Sequence, residues 1–470
     1  MRFPRFILHA LGLALCAPLL PLLTLFAQQD GETPISSDTL VLSRDSLPVA
    51  FDSLPVAFDS LPVAPVISAF AVMGNETTKP EIILRELSLR VGDTINVEDI
   101  EYAKSRIYSL GLFNRVDISW PPLDSTILLI EVDERWYLYP VLVLDIVDRD
   151  WNHWNYGLGL KHDNLRGRNE KLFVGGAIGY NPWFSLSYGN PWIMGGSHDS
   201  WFSETSFGYS SVENKSLASR GDGPNFREIR FAGFQTIGRR FSPYHSIWMS
   251  GGYQYVQVSE NRVGRTISPI GIDRYVSLSI GAKHDTRNLA EYPTSGIFGA
   301  MAAAKKGIGI GDVDMMAYAI DLRWYQLLYG ELSLGLRTLV QMSSGPAIPN
   351  YEHFYFGFSE RLRGHFDTER EGENLFGAFA ELRIPIVPRF YLHVPEVPIK
   401  QFRTWKLGLY AALFLDAGTV WNKRARPFAT TLPHGYGAGL HFLLPYGTVF
   451  RIDRAFDQHG RGEWVLDVGA

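Results

Sequence analysis

Near the last third of the chain, Glu360-Arg361-Leu362-Arg363-Gly364-His365-Phe366 sets two guanidinium groups around a glycine, with Arg370 just behind. The chemistry open to such a loop is electrostatic. A guanidinium forks two N–H donors onto one carboxylate, and the pair becomes geometrically rigid when it leaves bulk water. A solvated loop carries the same residues without consequence, so the motif acquires meaning only if a wall faces it with an acid. Asp416, within Phe414-Leu415-Asp416-Ala417-Gly418, is the first candidate, and Glu381 is a second. Alternation along a strand turns Phe414 and Asp416 to one side. Breaking one half of a desolvated pair of this kind costs about 3–5 kcal/mol.

Other candidate chemistry fails on its surroundings. His284 beside Asp285 and His393 near Glu396 have no serine or cysteine nucleophile arranged with them, and no Gly-x-Ser-x-Gly elbow occurs. The twelve histidines are scattered without metal-ligand spacing. Gly307-Ile308-Gly309-Ile310-Gly311 lies between two strand-like segments with no helix after it, so it is a turn and not a phosphate cradle. The expectation is a protein that is not an enzyme and has no metal and no cofactor.

The elements that must position the arginine follow from composition. The 470 residues are 46% hydrophobic and 13% aromatic, with 45 glycines and a formal charge of −5. Abundant glycine and aromatics suit a strand-rich chain at a membrane interface, and the mild charge gives no basic stripe for nucleic acid. Residues 1–27 have the form of a secretory signal, with Arg2 and Arg5 ahead of an apolar run that Pro18 and Pro21 interrupt. The one cysteine, Cys16, falls inside it, so no disulfide is expected after processing. No later run is apolar enough for a membrane helix, so a span would have to be made of strands. Residues 28–65 hold the sequence DSLPVAF at Asp45–Phe51 and Asp52–Phe58, truncated at Asp59–Ala64. Pro48, Pro55 and Pro62 forbid a continuous helix, which leaves an extended Ser/Asp/Pro-rich linker.

Residues 66–136 are expected to form a small α+β module. Val66–Val72 alternates as a strand, and Thr78-Lys79-Pro80-Glu81 has the form of a capping box opening a helix. Asn96 caps a second helix that ends at Gly111, and Val116–Trp120 and Thr126–Asp133 pair across Pro121-Pro122. Two helices on one face leave a sheet edge free to pair with an extended client. From residue 139 to 470 sixteen strand-like segments follow, at about 21 residues each with their loops, the spacing of a transmembrane barrel. Leu407, Leu409, Ala411, Leu413 and Leu415 form one face of a strand whose other face carries Lys406, Gly408, Tyr410, Phe414 and Asp416. Bulky apolar residues repeat on one face of nearly every segment, with glycine and small residues opposite. The fold class is therefore an all-β barrel of sixteen antiparallel strands carrying one α+β module.

At this point the sequence resembles the BamA/TamA-type superfamily of outer-membrane assembly and translocation barrels, whose soluble modules are POTRA domains. Leu362-Arg363-Gly364-His365 is similar to the family's lumen-loop motif, and Phe414, Asp416 and Gly418 to its partner strand motif. Asp163-Asn164-Leu165-Arg166-Gly167 and Asp285-Thr286-Arg287-Asn288 resemble two of its turns. His365 stands where the family has an aromatic, and Phe366 takes that role if the register slips by one. The last strand ends in Ala470 where an aromatic is usual, and one POTRA-like module is visible where general assembly factors have several. The resemblance implies a monomeric barrel in outer-membrane lipid, with its module in the periplasm receiving an unfolded polypeptide or a partner at the sheet edge. Two other classes stay open: a passive channel or porin-like transporter, and an adhesive surface barrel.

Overall fold

The computed structural model describes residues 39–41, 66–94, 97–120, 126–146, 152–196, 199–214, 216–220, 225–309, 311–358, 360–366, 368–423 and 432–469. Asn96 and the Pro121-Pro122 turn lie outside them.

The N-terminal module is a four-stranded sheet of β1 (Thr39–Val41), β2 (Ala69–Met73), β3 (Phe113–Ser119) and β4 (Ile127–Glu134), in spatial order β1-β2-β4-β3. Two helices, Pro80–Leu84 and Val97–Tyr108, supply Ile82, Ile83, Ile100, Ala103 and Ile107 to a core with Val72, Leu128, Ile130 and Val132. The apolar positions recur at helical spacing in the longer helix, and Gly111 ends the segment at φ +73°.

Two expectations are corrected here. Thr78 does not cap the first helix. The N-cap position is Lys79, which makes no side-chain capping bond, and Thr78 Oγ1 instead lies 3.0 Å from Tyr137 Oη and accepts from Asn164 Nδ2 at 2.9 Å. Nor is the sheet edge free on the β2 side. Three residues of the tract read as linker, Thr39–Val41, run parallel to β2, with Thr39 opposite Phe70, Leu40 opposite Ala71 and Val41 opposite Val72.

Most of the remaining described residues form one sheet of sixteen strands. They are β5 (Leu138–Ile146), β6 (Trp154–Leu165), β7 (Glu170–Gly179), β8 (Trp183–Gly195), β9 (Ser200–Glu213), β10 (Arg227–Arg240), β11 (His245–Val258) and β12 (Ile272–Asp285). Then come β13 (Gly296–Lys306), β14 (Met315–Tyr329) and β15 (Leu332–Ser344). A loop carries a short ribbon, β16 (Phe354–Phe356) with β17 (Arg370–Gly372). The last five are β18 (Asn374–His393), β19 (Thr404–Trp421), β20 (His434–Leu443), β21 (Val449–Asp457) and β22 (Gly462–Gly469). Each pairs antiparallel with the next, and β5 and β22 are the two ends of the order.

Sixteen strands form, as expected, and the face alternation that marks them is strict. On β19 Leu413 and Leu415 are half exposed, whereas Tyr410, Ala412, Phe414 and Asp416 are buried. Leu142, Leu158, Ile178 and Ile280 each expose more than 60% of their surface to the outside. In water a belt of this kind would be a large unburied apolar patch; facing acyl chains, it is the surface a transmembrane barrel requires.

The module docks on the barrel through its loops. Glu86 accepts a forked pair from Arg240 at 3.0 and 3.1 Å and a third bond from Arg106 at 3.0 Å. The turn after β6 supports the other side: Gly167 O accepts from the Lys79 N–H at 3.0 Å. A Cβ on Gly167 would run into the Thr77 carbonyl, so glycine there is a condition of docking. Between module and barrel lies a cavity of about 430 Å³ lined by Lys171, Glu204, Arg240, Lys283, Asp285 and Glu291, among others.

Candidate functional site

The loop between β15 and β18 turns back into the barrel, and apolar contacts hold it there. Leu362 is fully buried in a cluster with Phe354, Phe356 and Leu375. Tyr351 Oη donates to Asp273 at 2.7 Å, and buried Glu352 accepts from Tyr275 Oη at 2.7 Å and also pairs with Lys306. Gly418 keeps the wall thin here, since a Cβ on it would meet the Phe356 ring at 2.8 Å.

Seated in this way, Arg363 meets β19. Its Nε donates to Asp416 Oδ2 at 2.7 Å and its Nη2 to Oδ1 at 2.8 Å, while the Arg363 backbone N–H donates to the same carboxylate at 3.2 Å. Nη1 donates to Glu381 Oε2 at 2.7 Å, and Asp453 Oδ2 lies 3.6 Å away. The guanidinium plane sits 3.8 Å over the Phe414 ring. Planar forking onto one carboxylate, ring stacking and a further N–H left for a second carboxylate are properties of arginine that lysine does not combine. Asp416 is 1% exposed, so this ion pair is largely out of solvent.

The turn beyond Arg363 engages the last strands. Gly364, at φ +90°, donates its N–H to Glu463 Oε1 at 2.8 Å, and Phe366 donates to the same oxygen at 2.9 Å. The Phe366 ring packs on Phe414, Ala455 and Val465, with the Arg361 guanidinium 4.3 Å from the ring centre. His365 is buried beside Gln458 Oε1 (2.6 Å) and the His434 carbonyl (3.2 Å). The two residues thus divide the position: the ring of Phe366 meets the wall, and His365 bonds polar groups of the neighbouring strand ends.

Several partners were not singled out in the sequence. Arg337 bridges Asp321 and Glu360, giving 2.9 Å to the first and 3.0 Å to both oxygens of the second, and so ties the loop's base to β14 and β15. Glu371, on the ribbon, accepts from Ser216 Oγ at 2.7 Å and the Ala218 N–H at 2.9 Å, and lies 2.6 Å from His353 Nδ1. Burial works to raise its pKa, but these bonds, led by His353, hold it below the usual value. Strand parity alone would have turned Glu463 inward, because Trp464 is outward and Val465 buried. What parity does not supply is the height on the wall.

Glu463 is a direct test of the seat. Glu463→Ala removes the acceptor of two part-buried N–H groups, at up to about 1–3 kcal/mol for each left unsatisfied, whereas Glu463→Gln keeps a carbonyl oxygen. Trypsin is expected to cut at Arg361 or Arg363 in the alanine variant several-fold faster than in the glutamine variant or wild type. Equal cutting of all three would mean that Glu463 does not hold the loop.

A strand-built wall with a lumen loop clamped by arginine, carrying an α+β module beneath one mouth, defines an outer-membrane barrel with a periplasmic module. Residues 164–463 match the Omp85 superfamily domain and residues 65–135 match POTRA, the surface antigen variable number repeat. The chain belongs to the Omp85 superfamily, a family of outer-membrane barrels that insert or translocate polypeptides, with POTRA in the periplasm. Among solved structures it is similar to BamA from Haemophilus ducreyi lacking POTRA domains 1–3, at 18% identity and TM-score 0.51 over 85% of this chain and 84% of that one. It is also similar to CdiB from Escherichia coli, at 10% identity and TM-score 0.49 over 89% and 91% of the two chains.

Proposed function

We propose that this chain, as a monomeric barrel in outer-membrane lipid, assists the insertion or translocation of polypeptides by opening the seam between β5 and β22. The supporting observation is that these strands are the ends of the sheet order, with no ladder joining them among the described residues. Both are weak closing strands. Pro140 in β5 lacks an N–H, and β22 is eight residues long with Gly469 at its end. An opened seam presents strand edges on which an incoming hairpin can template. The Arg363 loop braces the closed form, because it grips β19 through Asp416 and β22 through Glu463. The POTRA module receives an extended client on the outer edge of β2. In this reading residues 1–27 are removed on export and the remainder of 28–65 spans distance.

Depletion separates this from a passive channel. Loss of the chain is expected to lower other barrel proteins in the outer membrane, by quantitative comparison of membrane fractions. Unchanged content, together with a steady solute-selective conductance that survives Arg363→Ala, would assign the barrel to transport instead.

A further inference from the structure

The edge of β2 is already taken, and by the chain itself. Ile67 donates its N–H to Asp93 O at 3.0 Å and Gly92 donates to Ile67 O at 2.8 Å, so the edge open to a pairing strand begins beyond them, at Ala69–Met73. Thr39–Val41 lies along it in parallel register. Parallel neighbours need a crossover of a dozen residues or more. The 24 residues from Leu42 to Pro65 exceed that number. Three residue pairs make a short, weak ladder.

The tether's sequence sharpens the point. Asp38-Thr39-Leu40-Val41 stands seven residues ahead of Asp45-Ser46-Leu47-Pro48, and the same step leads to Asp52-Ser53-Leu54-Pro55 and Asp59-Ser60-Leu61-Pro62. Thr39–Val41 is thus the first member of the repeat series, and the one with valine where the other three have proline. Proline has no N–H to give to a ladder. The copy seen paired with β2 is free of that obstacle.

We infer that Thr39–Val41 is a built-in, displaceable occupant of the POTRA edge, a pseudo-client that an extended polypeptide must replace before it can pair with β2. This rests on the reading that the edge receives clients. Being part of the same chain, the segment competes as an intramolecular partner, so it guards the edge against chance segments yet yields to one offering a longer ladder.

The test uses the full chain in detergent. Val41→Pro converts the first copy into the sequence of its successors. Leu40→Cys with Ala71→Cys, at directly paired positions, locks the occupant under oxidation; Cys16 is the only native thiol and lies in the segment read as signal. Two readouts are followed: hydrogen exchange of the Ala69–Met73 amides, and binding of a fluorescent peptide with the sequence Ser37–Arg44. In Val41→Pro the amides facing β1 are expected to exchange faster and the peptide to bind about tenfold tighter than to wild type. The oxidised pair should exclude the peptide, and reduction should restore the wild-type affinity. Unchanged exchange in Val41→Pro, or peptide binding unaffected by the lock, would overturn the inference. If exchange and peptide respond as expected but client polypeptides crosslink equally to the locked and Val41→Pro chains, the capture reading falls while the occupancy of the edge stands.

Discussion

Arg363→Ala is expected to destabilise the barrel by about 3–5 kcal/mol, the cost of breaking a desolvated ion pair from one side. The magnitude follows from what is left behind. Asp416, Glu381 and Asp453 all face this guanidinium, and its removal leaves three inward carboxylates with no shared cation. Arg383 still reaches Glu381 at 2.8 Å, so Asp416 is the more stranded. Asp416→Ala should cost less, because Arg363 keeps Glu381 and the Phe414 ring. The double alanine variant should cost little beyond Arg363→Ala, since most of each penalty is the burial of the partner left alone. Arg363→Lys should recover only part, as an ammonium cannot fork onto Asp416 while reaching Glu381. The temperature at which the folded, fast-migrating gel band disappears measures all four. Full additivity of the two single changes would show that the side chains do not act on one another.

How much of this site was legible in the sequence depends on what fixes each contact. Strand identity and facing are local: parity puts Asp416 with Phe414 and Tyr410 inside, and the strand starts fall where alternation begins. Arg363 to Asp416 is readable once the barrel is granted, because the loop and β19 flank the same strand, β18. Glu463 and Asp453 are further removed. Whether an inward residue on β21 or β22 stands level with a loop turn depends on the stagger accumulated across several strand pairs, which no single segment records. Thr78 shows the opposite failure. Its local sequence favours a cap, but Tyr137 and Asn164, from segments far along the chain, take its hydroxyl. Thr39–Val41 was hidden by its neighbours, because a proline-rich repeat masks one proline-free copy.

Backbone space sets the second large effect. Gly364 sits at φ +90°, and a Cβ there would stand 2.5 Å from the Phe456 carbonyl oxygen and 3.0 Å from the Gly435 Cα. Gly435, directly opposite Asp416 on β20, faces the same constraint from the other side: a Cβ on it would run into the Arg363 carbonyl oxygen. Both obstacles are backbone, which no rotamer change relieves. Either Gly364→Ala or Gly435→Ala is therefore expected to lift the turn off the wall, losing the Asp416 fork and both bonds to Glu463 together. The loss in the gel assay should match or exceed that of Arg363→Ala. The combination that distinguishes this account is Gly435→Ala with Arg363→Ala. If glycine serves only to let the arginine in, adding Arg363→Ala to Gly435→Ala should change little. A further large drop would mean that Gly435 supports the β19–β20 pairing in its own right, apart from the loop.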